Sequence, residues 1–274
     1  MANHLKREKQ QTIISLLCEG CTVRGIERVT GTHRDTILRL QTRVGEHCEE
    51  IMEREIGEVL TSSVQCDELW SFVGKKERRL QPDDPIEWGD AYTYVGVDRE
   101  SKFIIAAETR KRNEFTTEQF VETLSRRVSG DVQIFTDGYG PYRAAIPMYF
   151  GRRAHFAQVV KNFDGDTDES HRYSPPKVTS VEHVWVQGSP RAGMVSTSHV
   201  ERSNWTIRGN LRRFTRLSNG FSRKLANLRA AVALYVVWYN WCKKHTTLGT
   251  TPAVAMGLAR EQWTIDSLLP GWSK

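Results

Sequence analysis

Three acidic side chains stand where their neighbours would bury or half-bury them, and any fold for this chain has to find them partners. Asp67 interrupts an apolar run (VQCDELW), Asp137 ends another (IFTDGY), and Glu201 sits in an otherwise basic segment (HVERSNW). An unpaired buried carboxylate is costly, so such groups are paired, protonated or bound to metal. A divalent ion shared among the three would resolve the conflict. Mg²⁺ takes oxygen ligands and keeps several of its waters, which suits carboxylates facing substrate phosphates. Two such ions, for which Mn²⁺ can substitute, activate an attacking hydroxyl and stabilise the leaving oxygen of an in-line displacement. That chemistry needs no His, Ser or Tyr nucleophile.

The pattern along the chain says which elements carry these acids. Residues 7–44 read as three short helices. Ile13, Ile14, Leu16 and Leu17 give the first an apolar stripe that Gly20 ends, Thr22 caps a second at 23–29, and Thr32 caps a third at 35–44. The Gly-containing turn between the last two suits a helix-turn-helix, and Arg34, Arg39 and Arg43 suit a major groove. The acidic stretch 46–58 reads as a connecting helix. Strands follow at 64–73, 92–98 and 103–108, then a helix capped by Thr116 or Thr117 that runs to about 128. A strand at 132–136, a helix near 142–148, strands near 155–161 and 181–186 and a long helix from Ser198 come next; helical stretches at 224–243 and 252–258 close the chain. This order predicts an α/β fold, a mixed sheet flanked by helices, preceded by a small all-α domain. The expected division is 1–45, a DNA-binding domain; 46–62, an acidic linker helix; 63–223, the catalytic domain; and 224–274, a C-terminal helical extension.

Charge points to the partner. The net charge is +6, but its distribution says more: residues 191–229 hold nine basic side chains against the single acid Glu201. Residues 1–44 hold eight basic against four acidic, whereas 46–58 hold six acids and one Arg. Basic segments on both sides of the acids suit a polyanion whose counterions are released on binding. No apolar run reaches the ~20 residues of a membrane span, and the N-terminus has no secretory signal, so a soluble cytoplasmic protein is expected. Five scattered cysteines argue against a disulfide framework, and the lone pair Cys18 and Cys21 reads as helix-end residues rather than a zinc site.

Other acids compete for the site. Glu68 adjoins Asp67, but successive strand residues face opposite sides, so one of the two is expected to reach the metals. Asp98 has the place of a turn residue that bonds nearby backbone. The run from Asp164 to Glu169 begins like a calcium loop, yet Glu169 stands where that loop needs Gly and Pro175 where it needs Glu.

Three blocks resemble the DDE transposases of the insertion-sequence-one family: Asp67-Glu68-Leu69-Trp70 leading to Phe72-Val73-Gly74; Thr136-Asp137-Gly138-Tyr139 with Tyr142; and His199-Val200-Glu201-Arg202 through Asn204, Leu211-Arg212-Arg213, Arg216 and Phe221-Ser222. The resemblance spans residues 67–229 and implies an RNase H-like catalytic domain in which the first and fourth strands are neighbours. Asp67 and Asp137 would then face one metal site, with Glu201 reaching it from a helix. The zinc-binding segment that this family typically carries ahead of its helix-turn-helix is not visible here.

On that helix Glu201, Asn204, Trp205, Arg208 and Arg212 fall near one stripe. Arg208, Arg212, Arg213 and Arg216 are expected on phosphate, and Asn204 either on DNA or orienting a carboxylate. His199 either assists or packs, and Trp70, Trp88, Trp185 and Trp205 read as core or rim. The activity implied is cleavage at transposon ends and strand transfer to target double-stranded DNA, by a homodimer or higher assembly. Two rivals share the features: a structure-specific nuclease that cuts without joining, and a DNA-binding regulator that does neither.

Overall fold

The computed structural model describes residues 5–163, 178–215 and 219–271. The chain opens with α1 (Arg7–Cys18), α2 (Val23–Thr30) and α3 (Arg34–Glu55). Thr22 Oγ1 caps α2 by accepting from the Gly25 N–H at 3.0 Å. Gly31 closes α2 with a left-handed φ of 66°, a conformation open to Gly at little cost. The next cap is His33 rather than Thr32: its Nδ1 accepts from the Asp35 N–H, while Thr32 is buried behind the turn.

After β1 (Val59–Leu60) come β2 (Ser63–Val73), β3 (Gly89–Asp98) and β4 (Ile104–Arg110), an antiparallel meander. Asp98 has the turn role read from the sequence. Its Oδ2 accepts from the backbone N–H of Glu100 and Ser101 and from the Ser101 hydroxyl. Helix α4 (Glu114–Arg127) starts a little earlier than expected, because Asn113 Oδ1 takes the Thr116 N–H at 2.9 Å and so supplies the cap. Then follow β5 (Val128–Ser129), β6 (Val132–Asp137), α5 (Tyr142–Phe150), β7 (Ala154–Phe163), β8 (Val178–Gln187), α6 (Ser198–Asn210), α7 (Leu225–Val237) and α8 (Pro252–Met256). The suspected calcium run and Arg216 lie outside the described residues.

Six strands form one sheet in the order β4-β3-β2-β6-β7-β8, and β1 pairs only with β5. β6 lies parallel to β2, β7 parallel to β6, and β8 antiparallel to β7. An antiparallel meander followed by parallel strands on the far side of the first is the RNase H-like arrangement. Gln65 Oε1 accepts from two N–H groups of α6, and Tyr94 packs on Phe120 of α4 and Tyr142 of α5. Tyr94 pairs with Glu68 across β2 and β3. Odd residues of this stretch of β2 therefore look toward α6 and Glu68 toward α4 and α5.

Two sequence expectations change here. The third helix and the acidic connecting helix are one continuous rod of 22 residues, α3. Gly45, at the expected break, is a contact point: a Cβ there would lie 2.1 Å from the Ala230 carbonyl oxygen, so α3 and α7 meet backbone to backbone. The helical stretch expected at 224–243 also divides. It is α-helical to Val237 and continues as a π-helical turn, Trp238–Cys242, with every residue of that turn buried. This turn aims the Asn240 amide at edge strand β4, where Oδ1 accepts from the Ile104 N–H at 3.0 Å and Nδ2 donates to the Ile104 carbonyl at 2.9 Å. One side chain thus satisfies both backbone groups of Ile104 on a strand that, among the described residues, pairs on one side only.

The Gly45 contact gives a test with a fixed sign. Ala is the better helix former by about 1 kcal/mol, but the Ala230 backbone has no room to yield. Gly45→Ala is expected to destabilise the protein by about 1–3 kcal/mol in denaturant melts. Gly209→Ala, with no atom within 4 Å of the added methyl, is expected to be neutral or mildly stabilising.

Candidate active site

β2 and β6 run side by side with Cys66 opposite Thr136, so Asp67 and Asp137 follow at the same end of both strands. The β6 end is braced by Gln158 of β7, which is fully buried. Its Nε2 donates to the Thr136 hydroxyl and to the carbonyls of Asp137 and Tyr139, at 3.2, 2.8 and 3.0 Å. Asp137 Oδ1 in turn accepts from the Tyr139 N–H at 3.0 Å. Asp67 is fixed from two sides: Oδ1 accepts from the Glu68 N–H and Oδ2 from Asn204 Nδ2, each at 2.8 Å.

Glu201 reaches the same place from α6. The helix start is pinned to β2 by Gln65 Oε1, which accepts from the N–H groups of His199 and Val200 at 2.9 and 3.1 Å. Two residues along β2 from that anchor is Asp67. Asp67, Asp137 and Glu201 all line one cleft of about 490 Å³, together with Arg112, Tyr139 and Lys161. The Glu201 carboxylate accepts from the Thr197 hydroxyl and from Lys161 Nζ, both at 2.5 Å.

Glu68 corrects the expectation that only one of the adjacent acids comes near. It does leave β2 on the opposite face, yet one carboxylate oxygen each from Asp67, Glu68 and Asp137 lie within 4.8 Å of one another. Asp137 sits just past Thr136, the last rung between β2 and β6, where a carboxylate can be approached around the end of the pairing from both faces. The other Glu68 contacts are the Tyr142 hydroxyl, which donates at 2.6 Å, and Arg112.

Crowding shows in the acidities. Burial, then the Asp137 charge, pushes Asp67 up to about 6, against hydrogen bonds that favour its charged form. Burial and Asp137 push Glu68 up to about 7, although Tyr142 and Arg112 pull the other way. Asp67, Glu68 and Asp137 fit a divalent cation on two counts: their donors are carboxylate oxygens close to one another, and Asn204 Oδ1 is buried beside them without a hydrogen-bond partner. Glu201 is not part of that close group; it lines the same cleft, is exposed, and is paired with Lys161.

The remaining sequence candidates are spread more widely. Arg34, Arg39 and Arg43 are all exposed on α3. On α6 Arg208 is half-buried, and beyond it Arg212 is exposed. Asn204 is buried with its amide on Asp67, so it orients a carboxylate here rather than offering itself to DNA. Arg213 also turns inward, donating to Ser222 Oγ at 2.5 Å and to Gln41 Oε1 at 2.6 Å, and burial lowers its pKa to about 10. That guanidinium belongs to packing. His199 has its ring 3.3 Å from Lys102 Nζ, outside the set that lines the cleft. Trp70 and Trp88 are half-buried, while Trp185 and Trp205 are exposed. Cys18 is buried and Cys21 exposed. Arg112 and Lys161 were not singled out from the sequence; an apolar strand with one Lys near its end was the available signal for the second.

No protein-family model matches the sequence, and no curated protein matches it. Among solved structures the chain is similar to the piggyBac transposase in a synaptic complex with hairpin DNA, at 11% identity and a TM-score of 0.37, covering 96% of this chain and 70% of that one. It is also similar to the Mos1 transposase in a paired-end complex with the left transposon end, at 16% identity and a TM-score of 0.23, covering 54% of this chain. In that pairing the chain spans 57% of the Mos1 length. The mariner Mos1 paired-end complex with Mg aligns at 18% identity and a TM-score of 0.20, over 53% of this chain and 56% of that one. No described helix is long and apolar enough to cross a membrane.

The raised acidities set a pH dependence. A carboxyl whose folded pKa exceeds its unfolded value binds more protons when folded, so stability falls as pH climbs between the two values. In EDTA the melting temperature is expected to drop from about pH 4 to about pH 7 through Asp67 and Glu68. Asp67→Asn and Glu68→Gln should each flatten that slope, and an unchanged slope in both variants would contradict the assignment.

Proposed function

We propose that the chain is a DNA transposase of the DDE type, a metal-dependent polynucleotidyl transferase. The observation carrying this reading is the meeting of Asp67 and Asp137, from adjacent parallel strands, with Glu201 from α6 in one open cleft. Asp67, Asp137 and Glu201 are the residues that would hold two Mg²⁺ ions, or Mn²⁺ in their place. When bound, such ions supply the charge that activates a water or 3′-hydroxyl and stabilises the leaving oxygen. The chain's own groups fix the geometry: Asn204 and the Glu68 N–H hold Asp67, Gln158 holds the Asp137 corner, and Lys161 with Thr197 holds Glu201.

The DNA path follows from the cations outside the cleft. Helices α2 and α3 form the proposed helix-turn-helix, with Arg34, Arg39 and Arg43 toward the major groove. Arg208 and Arg212, beyond Glu201 in the chain, continue the path along phosphate next to the cleft. Residues 1–45 thus serve docking, 46–62 linkage, 63–223 chemistry, and 224–274 bracing. Joining two ends calls for a homodimer or a larger assembly on DNA.

The test uses duplexes copied from the DNA flanking the coding region, with a plasmid as target and Mg²⁺ present. The purified protein is expected to nick the end duplex and join its 3′-end to plasmid. Asp67→Asn, Asp137→Asn and Glu201→Gln should each lower both steps by about 10³-fold or more, since the charge stabilisation lost is worth several kcal/mol. Nicking without any joined product would make the protein a nuclease. Binding without either step would make it a regulator.

A further inference from the structure

Arg112 lies in the link between β4 and α4, one residue before the Asn113 cap, and it lines the cleft of the three acids. Its Nε donates to Glu68 Oε2 at 3.0 Å, and Nη2 lies 3.0 Å from a Glu68 carboxylate oxygen. Its guanidinium carbon sits 3.7 Å from the centroid of the Tyr139 ring. Nη2 is 3.8 Å from Asp137 Oδ2, beyond hydrogen-bond length. The group therefore leans over the reaction centre without being bonded to it, and its Nη1 has no protein hydrogen-bond partner among the described residues.

The surroundings fix that posture. The Glu68 side chain is only 2% exposed, and the carboxylate also takes the hydroxyl of Tyr142, itself fully buried. A buried acid held on one side by Tyr142 and on the other by Arg112 aims the guanidinium, whatever it also offers to Asp67 and Asp137. Tyr139 stacks on the plane and leaves the in-plane N–H groups for an acceptor. A rigid, planar, permanently charged fork of this kind suits the paired oxygens of a phosphate.

We propose that Arg112 grips a backbone phosphate of DNA at the reaction centre, with Glu68 and Tyr139 as its positioning residues. This rests on the transposase reading above. Arg112 then touches substrate, whereas Glu68 acts through Arg112.

The experiment measures binding of the pre-nicked end duplex, copied from the DNA flanking the coding region. Ca²⁺, another oxygen-preferring cation, replaces Mg²⁺ to hold back cutting. The duplex is made in a series, each with one phosphate near the nick replaced by an uncharged methylphosphonate. For the wild-type protein one such replacement is expected to weaken binding about tenfold or more, the effect of losing a hydrogen bond to a charged group. Arg112→Gln should bind the unmodified duplex more weakly by a similar factor and be indifferent to that same replacement. Its salt dependence should be shallower by about one unit of log–log slope.

Glu68→Gln should show an intermediate loss at the same phosphate and no other. Arg112→Lys keeps the charge but not the fork, and is expected to recover only part of the affinity. Its melting curve separates this from a folding defect. An Arg112→Gln protein as sensitive to every methylphosphonate as the wild type would overturn the assignment while leaving the transposase reading intact. A wild-type protein that does not bind the end duplex at all would overturn both.

Discussion

The parallel pairing of β2 with β6 is the constraint on which the rest depends. A parallel neighbour cannot be reached by a tight turn, so the chain leaves β4, crosses through α4 and returns beside β2. That route brings two acids, far apart in sequence, to one end of one sheet. Burial of Asp67 and Glu68 and the nearby Asp137 charge both oppose folding, as the raised pKa values of Asp67 and Glu68 record. The fold tolerates this because each carboxylate is met by donors from a separate element: Asn204 from α6, Tyr142 from α5, and Arg112 from the link before α4. The site is a local cost held in place by the packing around it.

The motif residues beyond the acids also have physical work, much of it on one another. Phe221 stacks on Phe72 with ring centroids 4.8 Å apart, and Ser222 bridges to Val73 while its carbonyl accepts from the Gly74 N–H. Arg213 ties Ser222 to Gln41 in α3. The first and third sequence blocks therefore touch, end of β2 against the segment after α6, with α3 stapled to both. Helix α3 runs unbroken from its exposed arginines past this staple to Glu55.

Much of this was readable from periodicity. The strands of the six-stranded sheet, the helix carrying Glu201, the Asp98 turn and the neighbourhood of Asp67 and Asp137 follow from apolar pattern, turn chemistry and motif, whereas the short β1–β5 pair does not. What was hidden depends on contacts remote in sequence. The break expected between residues 44 and 46 falls at Gly45, and only Ala230 reveals that glycine as a crossing point. Arg213 looked like one more phosphate ligand in a basic run, and only Gln41 and Ser222 show that it faces inward. Glu68 was set aside by a sound rule of alternation, which fails where a strand ends and a long side chain can curl around the edge. Arg112 carries no local signal, because its partners lie on β2 and in the turn after β6.

The charge of the cleft then limits how a polyanion can enter it. Asp67, Asp137 and Glu201, with Glu68 buried behind them, are opposed there by Arg112 and Lys161, so the acids outnumber the cations. Bare, this cleft repels phosphate, whereas the α3 arginines and Arg212 stand exposed and free of that field's nearest acids. If the partner is DNA as proposed, encounter would be favoured on the basic helices, and engagement of the cleft would require additional positive charge. The ordering follows from Coulomb's law in a partly buried site, where charges are weakly screened. On the transposase reading, the acids that would hold divalent ions would also oppose the entry of a polyanion until such charge is present.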